Sequence, residues 1–161
     1  ILHLKPSDFP PLSLTLWQHI LFRLLASFCG VFGFSVMFNS PKELSATAGI
    51  IGAIANTLRL ELVDLASLPP AAAAFIGALT AGILASVLKS KIGYPRISLT
   101  VPSIVIMVPG LYLYRAIYNL GAMSLQTSAS WFAAAILIIL ALPLGLIFAR
   151  ILTDKTFRYC T

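Results

Sequence analysis

A Pro-Gly pair interrupts an otherwise apolar stretch of the chain, "VPGLYLYRAIYNLG" at residues 108–121. Pro109 has no backbone N–H and Gly110 relaxes the chain, so a helix at this point is expected to break into two halves. The start of the second half would carry free N–H groups and the positive end of a helix dipole. Such a half-helix can hold an anion or a carboxylate.

Polar side chains follow the predicted break at helical spacing. Tyr112, Arg115 and Asn119 are three and four residues apart and share one face, while Tyr114 and Tyr118 share another. A charge within a membrane-spanning helix is costly and usually faces the bundle interior or an aqueous cavity. We therefore predict a pathway for a small carboxylate-bearing substrate. The alternative is a proline kink followed by an interfacial belt of tyrosines.

Two earlier apolar runs also carry charge. Arg59 lies on one face of its helix with Asn56 and several small residues, and Arg23 lies in the run before it. Arg23, Arg59 and Arg115 fall in the same half of three predicted spans, so they could line one vestibule. For Arg59 and Arg115 the alternative is that the side chain extends to the lipid headgroups. The candidate pathway residues are Arg23, Asn56, Arg59, Pro109, Gly110, Tyr112, Tyr114, Arg115 and Asn119.

The composition indicates whether these residues are surrounded by water or by a lipid bilayer. Of 161 residues, 59% are hydrophobic and 10% are charged, whereas soluble domains carry about 25% charged residues. Mean hydropathy is +0.96. The chain is therefore expected to lie in a lipid bilayer.

Five apolar runs are long enough to cross the bilayer, since a crossing needs about 20 residues. They lie at roughly 14–38, 44–62, 69–89, 98–120 and 129–151. They lack the strict alternation of barrel strands. The sequence thus predicts an all-α, polytopic integral membrane protein of about five transmembrane helices, the fourth broken near Pro109 and Gly110. Residues 1–13 form an extramembrane segment or linker, 14–151 the five-helix domain and 152–161 a cytoplasmic tail.

Basic residues predict the orientation of these helices. Of the 11 Lys and Arg residues, seven fall on one side of the predicted spans, one on the other and three within spans. The positive-inside rule then places the N-terminus outside and the C-terminus in the cytoplasm of a cell (inner) membrane. This also explains the net charge of +6 without nucleic-acid binding.

Residues for catalysis or metal binding are scarce. The chain has two histidines and five acidic residues, and it has no GxSxG, Walker or HExxH pattern. We predict that it is not an enzyme and has no metal site or cofactor. Cys29 lies within an apolar run and is expected to be buried.

Small residues line one side of three predicted helices; in the third helix these are Ala74, Ala78, Ala81 and Ala85. Such faces allow close helix–helix approach. We interpret them as needing other helices to cover them, which predicts a homo- or hetero-oligomer.

Three motifs resemble the threonine/serine exporter family: "GFSVMFNSP" at 33–41, "GIIGAIANTLRLEL" at 49–62, and the segment at 108–121. The likeness covers roughly residues 17–150. It is closest to the family's short five-span half, which is either a YjjB-like small subunit or the C-terminal domain of a single-chain exporter. The resemblance implies export of threonine and serine, or of a dicarboxylate such as succinate, driven by the proton-motive force. It also implies a longer sister subunit or domain.

Two other functions are weighed against export. A structural membrane subunit would use its polar faces only to assemble with a separate transporting partner. A channel is a weaker alternative, because channels present rings of charges or carbonyls from repeated subunits.

Overall fold

The computed structural model describes residues 15–154, apart from the side chains of residues 90 and 91. This part of the chain contains helices and no strands. The helices are α1 (Leu16–Met37), α2 (Lys42–Asp64), α3 (Pro70–Ile92), α4 (Arg96–Val105), α5 (Gly110–Gly121) and α6 (Leu125–Thr153). Five segments are long and apolar enough to cross a membrane, with α4 and α5 together as the fourth. The prediction of an all-α protein with five spans is confirmed. The predicted segment at 1–13 and most of the predicted tail lie outside the described residues.

Prolines mark where four of the helices begin. Pro41, Pro69, Pro95 and Pro109 each occupy the position just before a helix, at the starts of α2 to α5. Proline suits a helix start, because the first N–H groups of a helix have no partner within it. Gly93 ends α3 in the left-handed conformation, with φ of 75°, which glycine adopts without strain. The boundaries of the spans therefore follow from local sequence.

Helices α2 and α6 each pack against more than one other helix. α2 contacts α1, α3 and α4, while α6 packs along both α3 and α5. The four alanines of the α3 face are fully buried. A Cβ at Gly145 of α6 would meet the backbone oxygen of Phe75 of α3 at 2.5 Å. The absence of a side chain at Gly145 thus allows these two helices to approach closely.

The small-residue face of α2 is also covered by this chain. On α2, Gly49 lies against Phe28 and Gly52 against Val31, both of α1. The chain's own helices thus cover the small-residue faces of α2 and α3, and the homo- or hetero-oligomer stays a prediction. The outward surface instead carries large apolar side chains, as expected where helices meet lipid.

Cys29 is exposed, so the prediction that it is buried was wrong. Helix α1 lies at one side of the bundle and turns Ser27, Val31 and Ser35 inward. Cys29 lies on the opposite face. In a membrane helix an apolar run does not reveal which face is buried, because lipid accepts apolar side chains as readily as a protein core does.

Candidate functional site

The chain between α4 and α5 replaces a turn of helix with tight turns. Pro109 has no N–H to donate to the Val105 carbonyl, which instead accepts from the N–H of Val108 at 3.2 Å. The N–H of Gly110 turns back to the carbonyl of Val108 at 2.8 Å. Pro102, by contrast, lies inside α4 without ending it. The predicted break near Pro109 and Gly110 is confirmed.

Arg59 of α2 reaches into this break. Its Nη1 donates to the carbonyl oxygen of Met107 at 2.9 Å. In a continuous helix that carbonyl would accept from the N–H of Leu111, four residues later. Among the described residues, the N–H groups of Leu111 and Tyr112 have no backbone acceptor. Arg59 therefore provides a hydrogen-bond donor for the Met107 carbonyl, whereas the N–H groups of Leu111 and Tyr112 remain without backbone acceptors.

The position of Arg59 depends on a close meeting of three helices. Met107 is fully buried. Gly77 of α3 faces both side chains, since a Cβ there would come within 3.2 Å of the Arg59 Cβ and 3.3 Å of the Met107 Sδ. Among the described residues, no carboxylate forms an ion pair with Arg59. The guanidinium is thus half-buried at the break, and no described carboxylate neutralises its charge.

Arg23 of α1 has a different environment. Its Nη1 lies 2.9 Å from Oε1 of Glu61, and its Nη2 forms a second ion pair with Asp64. Neither partner was predicted from the sequence. One feature of the sequence could have indicated them. Glu61 and Asp64 are two acids three residues apart at the end of α2, opposite the predicted outer half of α1. Arg23 therefore joins α1 to α2.

Asn56 also joins these two helices. Its Nδ2 donates to Oγ of Ser27 at 2.8 Å, and both residues are buried. Nearby, Ser103 of α4 donates to the backbone oxygen of Ala48 of α2 at 3.0 Å. These bonds fix α1 and α4 against α2. Neither Arg23 nor Asn56 makes a hydrogen bond that reaches the break.

The predicted polar face of α5 turns toward α6. The ring of Tyr112 packs edge-on against Trp131 at 5.6 Å between centroids, and the Arg115 guanidinium lies 4.8 Å from the same ring. Asn119 donates to the backbone oxygen of Arg115 in its own helix at 2.7 Å. Of these residues, Tyr112 lies near the Arg59 side chain. Among these α5 side chains, Tyr112 is therefore the one that lies near Arg59 at the break.

The remaining tyrosines lie on the outside of α5. Tyr114 and Tyr118 are both exposed, and their rings stack at 6.3 Å between centroids. Of the predicted pathway residues, the structure thus brings together Arg59, Tyr112 and the Pro109–Gly110 pair.

A second polar region lies where α3 and α6 end and α4 begins. A cavity of about 910 Å³ opens between the ends of α3, α4 and α6. Its polar lining includes Lys89, Tyr94, Arg96, Thr100, Arg150 and Asp154. From the sequence, these basic residues predicted only the orientation of the helices. One feature of the sequence could have indicated the cavity, namely Arg150 and Asp154, an Arg–Asp pair four residues apart at the end of the last span. We call this region the basic cavity.

Comparison with known proteins identifies the family. A family model described as "Threonine/Serine exporter, ThrE" matches residues 23–152. The chain belongs to the threonine/serine exporter family. No curated protein and no solved structure matches it.

The family match bears on both polar regions of this exporter-family chain. The matched segment includes all of α2 to α5, and therefore Arg59 and the break, together with most of the basic cavity. The family is one of transporters, which is not an enzyme class. The chain is accordingly a multi-pass membrane protein of the threonine/serine exporter type.

Proposed function

We propose that this chain is the five-span half of a transporter that exports small carboxylate-bearing metabolites across the cell (inner) membrane. The substrate is threonine or serine, or a dicarboxylate such as succinate, and the driving force is the proton-motive force. One observation carries the proposal. Arg59 occupies the carbonyl of Met107 at the break, and the first N–H groups of α5 are left without backbone acceptors.

The break offers what a carboxylate needs. The N–H groups of Leu111 and Tyr112 supply two donors at the positive end of a helix dipole. Arg59 adds a full positive charge beside them. Charge-assisted bonds of this kind are about twice as strong as neutral ones. A carboxylate bound here would complete the hydrogen bonding that the break leaves open.

Access to these donors is open from outside the chain. A Cβ at Gly110 would meet no described atom within 4 Å, and Gly110 is exposed. In hydrocarbon, an unpaired backbone N–H costs several kcal/mol. We infer that a further copy of this chain, or a longer sister subunit or domain, covers the break and encloses an aqueous substrate site. The working unit is then a homo- or hetero-oligomer.

The orientation proposed is N-terminus outside and C-terminus in the cytoplasm. Ser67 lies in the connection between α2 and α3, and Ser90 lies near the end of α3. With cysteine at either position in intact cells, an impermeant maleimide should label residue 67 directly and residue 90 only after the membrane is opened. The reverse labelling would contradict the orientation.

Transport itself is tested in vesicles. Labelled L-serine, L-threonine and succinate are loaded into proteoliposomes that contain this chain alone or this chain with a candidate sister subunit, with and without an imposed proton gradient. We expect gradient-dependent efflux of at least one substrate when the partner is present. If the sister subunit exports equally well without this chain, the chain is a structural subunit instead.

A further inference from the structure

The basic cavity brings together one cation from each of three helices. Lys89 comes from near the end of α3, Arg96 from the start of α4 and Arg150 from near the end of α6. One carboxylate, from Asp154, also lines the cavity. Three cations and one carboxylate leave an excess of two positive charges in the lining. Because like charges repel each other, an anion bound between these helices would stabilise the place where they meet.

The three cations differ in how they can act on an anion. Arg150 forms an ion pair with Asp154, with 4.0 Å between Nε and Oδ2. Arg96 turns into the bundle, where its Nη2 is buried and its Nη1 donates to Oγ1 of Thr153 at 3.3 Å. These two arginines therefore contribute positive charge to the cavity wall. Lys89 is exposed and its ammonium group carries three N–H donors, so Lys89 is the cation that can contact an anion directly.

The lining becomes apolar toward the middle of the membrane span. On α4, Ile97 and Val101 line the cavity and are exposed, and Val101 lies about 6 Å beyond Ile97 along the helix. On α6, Ile147 lines the cavity and is also exposed. It lies about 4.5 Å from Arg150 along the helix, in the direction of the bilayer centre. The cavity is thus charged at the helix ends and apolar one turn deeper.

A phospholipid has its chemical groups in this same order. Its phosphate lies at the membrane surface and its acyl chains lie in the hydrocarbon, whereas a soluble anion would match only the charged end of the cavity. Basic pockets between transmembrane helices are typical sites for anionic headgroups. The excess of positive charge favours a lipid of net negative charge over phosphatidylcholine, whose headgroup is neutral overall. The volume of about 910 Å³ lies within the range of ligand sites.

We propose that the basic cavity binds an anionic phospholipid from the adjoining leaflet, with Lys89 at its phosphate and an acyl chain along Ile97 and Val101. In the proposed orientation this is the cytoplasmic leaflet. Helix α4 packs against α1, α2 and α3, so the lipid adds a link from α4 to α6 beside the Arg96–Thr153 hydrogen bond. Lipid binding is a further property of the chain and needs no transported substrate.

Competition between two lipids tests the headgroup preference. The full chain in detergent is given equal amounts of phosphatidylglycerol and phosphatidylcholine with identical acyl chains, and native mass spectrometry measures the ratio of the two one-lipid adducts. We expect phosphatidylglycerol to be favoured at least about 10-fold, because each nearby cation strengthens the binding of an anionic lipid. Equal amounts of the two adducts would overturn the proposal.

Two lysine variants distinguish the cavity from general attraction to a basic protein. Lys89→Gln should lower the preference for phosphatidylglycerol about 5-fold and leave the phosphatidylcholine adduct unchanged. Lys42→Gln is the matched control, since Lys42 is exposed at the start of α2, on the same side of the membrane, and does not line the cavity. It should retain the native preference. An equal loss in both variants, or no loss in Lys89→Gln, would contradict the cavity site.

The deacylated headgroup distinguishes a lipid site from a site for soluble anions. Glycerophosphoglycerol carries the same phosphodiester as phosphatidylglycerol but has no acyl chains. Because the apolar part of the cavity cannot contribute to its binding, we expect that about a 100-fold excess leaves the phosphatidylglycerol adduct in place. Displacement of the lipid by this compound would assign the cavity to a soluble phosphodiester and overturn the proposal.

Thermal unfolding tests the link between the helices. Phosphatidylglycerol should raise the melting temperature of the native chain and of Lys42→Gln more than phosphatidylcholine does, and Lys89→Gln should lose most of that difference. Equal melting of all three proteins in phosphatidylcholine would show that Lys89→Gln folds. If Lys89→Gln melts lower there, Lys89→Arg keeps the cation and should restore both the native melting temperature and the lipid preference. Equal stabilisation of both glutamine variants by phosphatidylglycerol, or a folded Lys89→Arg variant without the lipid preference, would contradict the proposal.

Discussion

Two arginines in neighbouring helices have opposite surroundings. Arg23 on α1 is paired with Glu61 and Asp64, and these three side chains are 24%, 17% and 52% exposed. Arg59 on α2 has no carboxylate partner among the described residues and donates to the carbonyl of Met107. One cation is neutralised within the chain, and the other is held at a break in the backbone with its charge available.

We propose that this difference separates a structural role, for Arg23, from a transport role, for Arg59. An arginine that already binds two carboxylates has little to offer a third, and removing it leaves acids unpaired. An arginine that binds a neutral carbonyl keeps most of its attraction for an anion. We therefore assign Arg23 to the joining of α1 and α2, and we propose Arg59 for substrate binding.

Replacement of Arg59 should have the largest effect on export. Arg59→Leu removes the charge and leaves the Met107 carbonyl without its donor, so serine export per folded protein should fall about 100-fold. Arg59→Lys retains a charge that can reach the carbonyl but loses the planar guanidinium, and it should retain partial activity. Efflux from proteoliposomes, normalised to inserted protein, measures both. Full export by a well-folded Arg59→Leu variant would remove the distinction between the two arginines.

Replacement of Arg23 should affect folding rather than transport. Arg23→Leu leaves the partly buried Glu61 unpaired and should reduce stability by about 1–3 kcal/mol, seen as a lower melting temperature in detergent. Adding Glu61→Gln should restore much of this stability, because it removes the unpaired charge. The double variant should export nearly as well as the native chain. A stable double variant that cannot export would place Arg23 in the pathway.

Arg115 should have the smallest effect of the three arginines. It is exposed, and its contact is the Trp131 ring. A cation–π contact at an exposed site contributes about 0.5–1 kcal/mol. Arg115→Leu should therefore change export by no more than about 5-fold, and Arg115→Lys should behave like the native chain. An Arg115→Leu loss as large as that of Arg59→Leu would show that substrate passes along the whole face of α5.

Local features of the sequence predict most of the fold. The five spans follow from hydropathy, and the break follows from Pro109, because an absent N–H is a property of one residue. The position of Arg59 on a face of small and polar residues favoured an inward direction, but the sequence left open the alternative that its side chain extends to the headgroups. These predictions need no knowledge of how the helices are arranged.

Pairings between helices could not be predicted in this way. The acceptor of Arg59 is a backbone carbonyl 48 residues away, and the choice depends on the close approach that Gly77 allows. Arg23 meets Glu61 only because α1 and α2 pack at a particular register. The basic cavity was missed for a related reason, since its cations also satisfy the charge bias that sets orientation.

The most direct test of the account is export by Gly110→Leu compared with Gly121→Leu. Both glycines lie in α5, and a Cβ at either meets no described atom within 4 Å, so neither change should disturb the fold of this chain. Leucine at 110 would occupy the space in front of the free N–H groups at the break, whereas leucine at 121 lies at the far end of the helix. We expect loss of serine export in Gly110→Leu and near-native export in Gly121→Leu. Native export by a well-inserted Gly110→Leu variant would contradict it.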